Sequence, residues 1–334
     1  MAQLLGLLLL SFFMTSILLV PFIDVLYKFR FRRQKQETKD VFNKPTPIFD
    51  KYHGGKVGTP VGGGILIIGV VVILTLWAYG LLGLKVKPWE LFVLLFSFVS
   101  FGILGFYDDM KKMFNNKESF FGLRFRHKLI IQIILATIIG IIFYLKLGFD
   151  FVFIHWLGQI NIGPLFIPLT VFVIVAFANA ANITDGLDGL ASGVLVICLA
   201  AFWVVSATLI DQTLGIFIAL WIGSLIAFSY FNVYPARIWL GDVGSLSFGA
   251  TLAVVGLLTG KIIAVAVVGG VFVIEAASSL IQLSSKRWLG KKIFKVAPFH
   301  LLLQSIGWEE PKIVMRAWLA GVVFAIFGLW LALV

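Results

Sequence analysis

Charge is scarce in this 334-residue chain. Asp, Glu, Lys and Arg together make up 13% of it, against 60% hydrophobic residues. A water-soluble domain carries roughly a quarter charged residues, so a soluble fold throughout is excluded. Cysteine is scarcer still. Cys198 stands alone inside an apolar run, which excludes an internal disulfide and a thiolate metal cluster and leaves it the part of a small core residue. Histidines number four, too few and too scattered for a zinc centre. There is no low-complexity tract and no clear internal repeat. The first apolar stretch, residues 4–25, lacks a basic leader before it, and a basic run rather than a small-residue cleavage site follows it. It reads as a span and not as a removed signal peptide.

Long apolar runs are what the chain does have. They are continuous rather than alternating, so helices and not barrel strands satisfy the backbone in lipid. About 20 apolar residues cross the hydrocarbon. On that measure ten spans are predicted, near 2–26, 61–83, 89–107, 129–148, 165–182, 187–210, 213–231, 244–260, 262–284 and 317–334. The expected fold class is an all-α polytopic integral membrane protein with one transmembrane domain over residues 1–334. Ten spans put both termini on one side. Of the 27 Lys and Arg, all but Lys85, Lys87, Lys146 and Lys261 fall in loops after odd-numbered spans. Such loops face the cytoplasm by the positive-inside rule, so both termini face outward. The net charge of +11 then belongs to one membrane surface, where topology and anionic lipid account for it. Nucleic acid is not expected as a partner, because the charge is spread over separate membrane-hugging loops. Residues 149–163, on the outer, periplasmic side, alternate and break as a short β-hairpin does, with His155 an interfacial residue.

The 16 acids sort unevenly. Glu37, Asp40, Asp50, Glu90, Glu118, Asp150, Asp211, Glu309 and Glu310 read as solvated loop residues, Asp24 sits near the end of span 1, and Glu275 is inside span 9. Five remain: Asp108, Asp109, Asp185, Asp188 and Asp242. All five sit at span ends on the cytoplasmic side, at three separate junctions. Helix capping explains one or two, such as Asp185 ahead of span 6. It explains five badly, since neighbouring carboxylates repel and ionisable groups at membrane depth are functional by default. Clustered carboxylates with amide oxygens suit magnesium, which keeps waters and substrate phosphates as ligands. A carboxylate-held cation on a basic surface points to a phosphate-bearing substrate in a cytoplasmic active-site cleft.

Around these acids lie further candidates. Asn179, Asn182, Asp185 and Asp188 recur every third residue in "NAANITDGLDGLASG". A break near Gly186 would end one span and offer the next helix's N–H groups to a phosphate. Interhelical hydrogen bonding is the competing reading for the asparagines. "KVGTPVGGG" places Lys56 and Thr59 beside a glycine run, which close helix packing also explains. "NVYPARIWLGDVGS" gathers Asn232, Trp239 and Asp242. Residues 286–316 are long, basic and partly amphipathic, as an interfacial helix is. His300 within them reads first as structural.

Taken together, "YDDMKK" (107–112), "NAANITDGLDGLASG" (179–193), "GDVGSL" (241–246) and "APFH" (297–300) resemble the polyprenyl-phosphate N-acetylhexosamine-1-phosphate transferase superfamily. "GTPVGGG", "NVYPARIWLGDVGSLSFG" and "GWEEPKIVMRAW" look most like its phospho-N-acetylmuramoyl-pentapeptide transferase branch, and the likeness covers nearly the whole chain. The resemblance implies transfer of phospho-MurNAc-pentapeptide from UDP-MurNAc-pentapeptide to undecaprenyl phosphate in the bacterial inner membrane, with Mg(2+), giving lipid I and UMP. It implies that Asp242 binds the metal, and that Asp108 and Asp109 bind metal and phosphates or take the lipid phosphate's proton. Lys112 would neutralise phosphate charge. Asn182, Asp185, Gly186, Leu187 and Asp188 would contact the nucleotide sugar, with Lys56, Thr59 and Asn179 also on the substrate side. Asn232 would hold the diphosphate region and Trp239 would stack on uracil. Gln282 and the catalytic candidate His300 would line the sugar and peptide side. A homodimer is admitted as the assembly. The chain departs from the family where three consecutive histidines are usual and it has His300, Leu301 and Leu302. It has Trp239 for the common phenylalanine and "PVGGG" for "PTMGG". A related GlcNAc-1-phosphate transferase is the alternative. A transporter ranks third, because transporters place ionisable groups near mid-membrane between inverted repeats.

Overall fold

Apolar run length sets the elements. In the computed structural model, which describes residues 2–33, 56–81, 83, 86–114, 125–154 and 158–334, most of the chain is helix. In order come α1 (Ala2–Lys28), α2 (Gly63–Leu81), α3 (Pro88–Phe114), α4 (Phe125–Leu145), strands β1 (Phe151–Ile154) and β2 (Gly158–Asn161), α5 (Phe166–Thr184), α6 (Leu190–Thr208), α7 (Gln212–Asn232), α8 (Gly241–Leu258), α9 (Ile262–Val268), α10 (Gly270–Trp288), α11 (Phe299–Ser305) and α12 (Glu310–Leu333). Among the described residues, nine helices are long and apolar enough to cross a membrane, and α9 with α10 makes a tenth if counted as one broken span.

That break departs from the straight span expected over 262–284. The axis turns by 79° at Gly269. A Cβ there would meet the Phe177 ring at 2.4 Å, and one on Gly270 would meet Phe324 at 2.8 Å, so rings from α5 and α12 press on both glycines at the bend. Cys198 donates its S–H to the Val268 carbonyl at the break, 3.3 Å away. Three other boundaries differ from expectation. α3 runs seven residues past 107, because Lys111 and Lys112 complement the helix dipole in its last turn. Asp108, Asp109 and Lys112 therefore stand on helix rather than in a loop. α12 starts at Glu310, not 317, with Pro311 in its first turn, where the missing N–H costs nothing. Between α10 and α12, residues 289–298 form no helix and only the seven-residue α11 follows, so the long interfacial helix is not formed. Asp185 does not cap α6. It is the C-cap of α5, and Gly189 with φ +79° starts α6.

The hairpin agrees with expectation: β1 and β2 pair antiparallel, Phe151 opposite Asn161 and Ile154 opposite Gly158. His155 and Leu157 of its turn, like Lys85 and most of the basic loop after α1, lie outside the described residues.

At the centre stand α7 and α8, the most buried helices, while α1, α4 and α12 bury least. α8 packs along α3 and α5, and α7 along α1 and α6. Lipid supplies no hydrophobic drive between helices, so close approach through small residues does the work. Gly105 shows it: a Cβ there would lie 2.1 Å from the Asp242 carbonyl oxygen. Phe98, Trp221 and Phe248 lock α3, α7 and α8 together, with ring centroids 5.0 to 5.4 Å apart.

The bundle has two polar ends. At the hairpin end, Asp211 caps α7 by accepting the Leu214 N–H at 3.0 Å and pairs with Lys87 at 2.8 Å. Lys87 also reaches Glu90 at 2.9 Å. Glu90 and Asp211 are thus tied into structure rather than left in a solvated loop. Burial disfavours ionised Asp211, but the Leu214 N–H and the Lys87 ammonium outweigh it and hold the carboxyl below its usual range. All five singled-out aspartates lie at the opposite end.

Candidate active site

Four helices bring the central cluster together: the last turn of α3, the first turns of α4 and α8, and the end of α5. Asp108 and Lys112 are one helical turn apart, so they face the same way. Lys112 Nζ lies 3.2 Å from Asp108 Oδ2 and 2.8 Å from Asp242 Oδ2. Lys128 Nζ makes the same bridge at 2.9 and 2.6 Å. Two ammonium groups thus sit between two carboxylates drawn from positions 134 residues apart. Asn182 donates its amide to Asp242 Oδ1 at 3.0 Å and to Ser245 Oγ at 2.8 Å. Both carboxylate oxygens of Asp242 are thus held.

Asp109 points inward. It is 3% exposed, and its Oδ2 accepts the Val243 N–H at 3.1 Å. Helix N-termini leave such N–H groups unpaired, so Asp109 clamps α3 to the start of α8. Gly241, with φ +76°, is required there: a Cβ on it would lie 2.7 Å from Asp109 Oδ2.

A second cluster adjoins the first. The loop between α5 and α6 carries Asp188, whose Oδ1 takes Lys56 Nζ at 3.0 Å and whose Oδ2 accepts the Ala236 N–H at 2.9 Å. Glu310 closes this group. Its Oε1 accepts from Lys56 Nζ and, at 2.7 Å, from the Asp188 N–H. Lys56 also lies 4.7 Å above the Trp239 ring, with the Arg33 guanidinium 5.1 Å from the same ring. Arg33 is fixed by its backbone N–H, which donates to the Thr59 carbonyl at 2.9 Å. Asp185 links the two clusters electrostatically. Its carboxyl is pushed well above the usual range, first by burial, then by the charges of Asp242 and Asp109, against the pull of Arg33 and Lys56.

His300 comes from α11. Its backbone N–H and its Nδ1 both engage the buried Glu275 carboxylate, Nδ1 to Oε2 at 2.9 Å. The other side of the ring meets the α5–α6 loop, where a Cβ on Gly186 would lie 2.5 Å from His300 Nε2. Leu301, in place of a histidine usual in the resembling family, is 1% exposed and points into packing.

Not every sequence candidate joins. Asn179 is pinned one turn deeper, donating to Gln132 Oε1 and the Val175 carbonyl at 2.7 and 2.8 Å. Asn232 accepts from Ser192 Oγ at 2.8 Å and donates to the Ile238 carbonyl at 2.9 Å, which braces the α7–α8 loop. Gln282 bonds both backbone groups of Phe294. Leu187 is buried apolar packing, and Trp239 is 5% exposed with its ring beneath two cations.

The carboxylates of Asp108 and Asp242 offer oxygen donors, and the Asn182 amide N–H holds Asp242 Oδ1 in place. Among the described residues no three Asp, Glu, His or Cys side chains are grouped to hold a metal as they stand. Asp108 and Asp242 nevertheless bracket compact cations, which is the chemistry magnesium takes when most of its ligands are water and phosphate oxygen. The residues fit such an ion.

Residues 91–260, which contain the central cluster, match the family described as Glycosyl transferase family 4. A phospho-N-acetylmuramoyl-pentapeptide transferase of Aquifex aeolicus is 37% identical over 96% of this chain and 90% of its own length. One from a Geobacillus species is 35% identical over 96% and 95%. One from Caldanaerobacter subterraneus is 38% identical over 80% and 83%. This chain belongs to the phospho-N-acetylmuramoyl-pentapeptide transferase family. It is accordingly a multi-pass membrane transferase of peptidoglycan synthesis.

For this transferase, sequence reasoning missed Lys128, Arg33, Glu275 and Glu310. Lys128 looked like one more loop cation. Glu310 reads in the sequence as a solvated acid, yet it is buried against Lys56, 254 residues away. The one available signal was Glu275, an acid inside an apolar span, which is costly unless it has a purpose.

Proposed function

We propose that the protein transfers phospho-MurNAc-pentapeptide from UDP-MurNAc-pentapeptide to undecaprenyl phosphate, releasing UMP and forming lipid I. We place the reaction at the cytoplasmic face of the inner membrane, in a single domain of ten spans with both termini outside. The observation that carries this reading is the meeting of Asp108 and Asp242 on two shared lysines at the basic end of the bundle.

In this reading a lipid-phosphate oxygen attacks the β-phosphorus. The bond to the bridging oxygen breaks, and UMP leaves with that electron pair. A phosphate monoester already carries roughly −1.5 to −2 charge at pH 7, so Asp108 and Asp109 need not act as strong bases. Lys112 and Lys128 neutralise phosphate oxygens, the preorganised charge on which phosphoryl transfer depends. Asp242 and Asp108 hold those lysines and would hold Mg(2+), with Asp109 keeping α8 in place. Bound magnesium would withdraw charge from the diphosphate. Asp185, Gly186 and Asp188 form the wall for the nucleotide sugar, with Leu187 as its buried apolar backing, His300 behind it and Asn182, Asn232 and Gln282 as braces. Lys56 and Arg33 supply cations beside Trp239. Uracil stacking on Trp239 requires these two side chains to yield one face of the ring. Thr59 and Asn179 act through the backbone and packing.

The test is mass spectrometry of the lipid product, with UMP release measured alongside. Purified protein receives undecaprenyl phosphate, Mg(2+) and either UDP-MurNAc-pentapeptide or UDP-GlcNAc. Lipid I from the first, abolished by EDTA and restored by Mg(2+), is expected. Product from UDP-GlcNAc alone would favour the sibling activity.

A further inference from the structure

Glu275 is a buried acid that the reaction above does not use. It stands on α10, inside an apolar span, and is 4% exposed. Among the described residues no lysine or arginine pairs with it. Its carboxylate is instead spent on a single residue. The His300 backbone N–H donates to Oε1 at 3.1 Å and to Oε2 at 3.3 Å, and His300 Nδ1 lies 2.9 Å from Oε2. A carboxylate accepts and cannot donate, so the ring proton on that side belongs to Nδ1. His300 Nε2 then faces the Gly186 backbone, in a fit so close that a Cβ on Gly186 would come within 2.5 Å of it. Ring orientation and tautomer are both decided by this one acid, as a partner on one ring nitrogen decides the state of the other.

We propose that Glu275 is a positioning residue: it locks the His300 imidazole with its proton on Nδ1 and aims Nε2 at the Gly186–Asp188 wall, where the sugar end of the donor is recognised. This assignment rests on the reaction proposed above. Two features support a dedicated device over incidental packing. The carboxylate holds the ring and the backbone of the same residue, so it fixes both the first turn of α11 and the side chain that turn presents. Leu301 is buried and apolar, which leaves His300 the one imidazole in this stretch.

Glu275→Gln keeps shape and burial but can donate an N–H to Nδ1. The expected spectroscopic result is a change of tautomer. In 15N-histidine NMR of the detergent-solubilised protein, the His300 signals, assigned by their loss in His300→Gln, should switch from Nδ1–H to Nε2–H. The expected kinetic result is a KM for the nucleotide sugar raised about tenfold, the scale of an outer-shell partner, with the KM for undecaprenyl phosphate unchanged. Glu275→Asp, which keeps the acceptor, should restore Nδ1–H and recover part of the loss. A Glu275→Gln protein that keeps Nδ1–H and the wild-type nucleotide-sugar KM would overturn the proposal. So would an equal rise in both KM values, which would mark general loosening. The tautomer measurement needs no turnover. Wild-type protein that released no UMP would defeat the proposed reaction, and the spectrum would still decide the role of Glu275.

Discussion

Replacing Gly105 by alanine should remove turnover before it removes the fold. Gly105 faces the first turn of α8, where an added Cβ would lie 2.1 Å from the Asp242 carbonyl oxygen and 2.4 Å from its carbonyl carbon. Both atoms are backbone, so no rotamer change relieves the contact. A carbon and an oxygen need about 3.4 Å, so α3 and α8 would have to part by roughly 1.3 Å at this point. Overpacking of that size costs about 1–3 kcal/mol, which a bundle with this much buried contact tolerates. The catalytic effect should be larger. Asp108 is one turn further along α3, and its shared contacts with Asp242 through Lys112 and Lys128 span only 2.6 to 3.2 Å. Misplacement near 1 Å costs on the order of 100-fold in rate. The assay is UMP release by purified variants that remain monodisperse in detergent. Gly69→Ala is the control, since nothing lies within 4 Å of a Cβ there, and its rate should be unchanged. A Gly105→Ala protein with a rate within twofold of wild type would refute the claim that this approach sets the site.

Asp242→Asn should lower kcat by on the order of 10²–10³, the scale of removing a preorganised charged group, with thermal stability retained; near-normal UMP release would count against its role. Asp185→Asn should stabilise the substrate-free protein while weakening nucleotide-sugar binding. The folded carboxyl is raised, so its folding penalty is absent below the ordinary carboxylate range, near pH 4, and grows as pH rises through the folded pKa. The variant's thermal midpoint should therefore exceed wild type at pH 8 and match it near pH 4. Asp211 has the opposite sign. Its lowered carboxyl contributes stability above the ordinary range and loses it as pH falls through the folded pKa, so Asp211→Asn should lower the midpoint at pH 7 and converge with wild type in acid.

Span positions were legible because the cost of burying polar backbone in lipid forces long apolar runs, and those runs are plain in the chain. That Asp108 and Asp242 belong to one group of five acids at span ends was legible, since carboxylates there have few other uses; which two share their lysines was not. The rest depended on distance in space. Nothing local to Lys128 distinguishes it from Arg126 two residues earlier, and only the fold brings it to Asp242. Glu310 follows Glu309, yet one is buried on Lys56 and the other caps α12 without a side-chain bond. The extension of α3 past Tyr107 was hidden because its charged last turn reads as loop composition, whereas the turn is helical and stabilised by its own Asp108–Lys112 pair. The bend at Gly269 was hidden because glycine in an apolar run permits a break without announcing one.

The two central carboxylates and their lysines are not mounted alike. Asp242 rides on α8, the most enclosed of the spanning helices described, whereas Lys128 rides on α4, which is among the least buried. Spanning helices accommodate bilayer thickness by tilting, within limits set by packing against their neighbours. If membrane thickness tilts α4, the change would reach the cluster through Lys128 before it reached Asp242, and the expected sign is a rate that varies with lipid chain length for wild type.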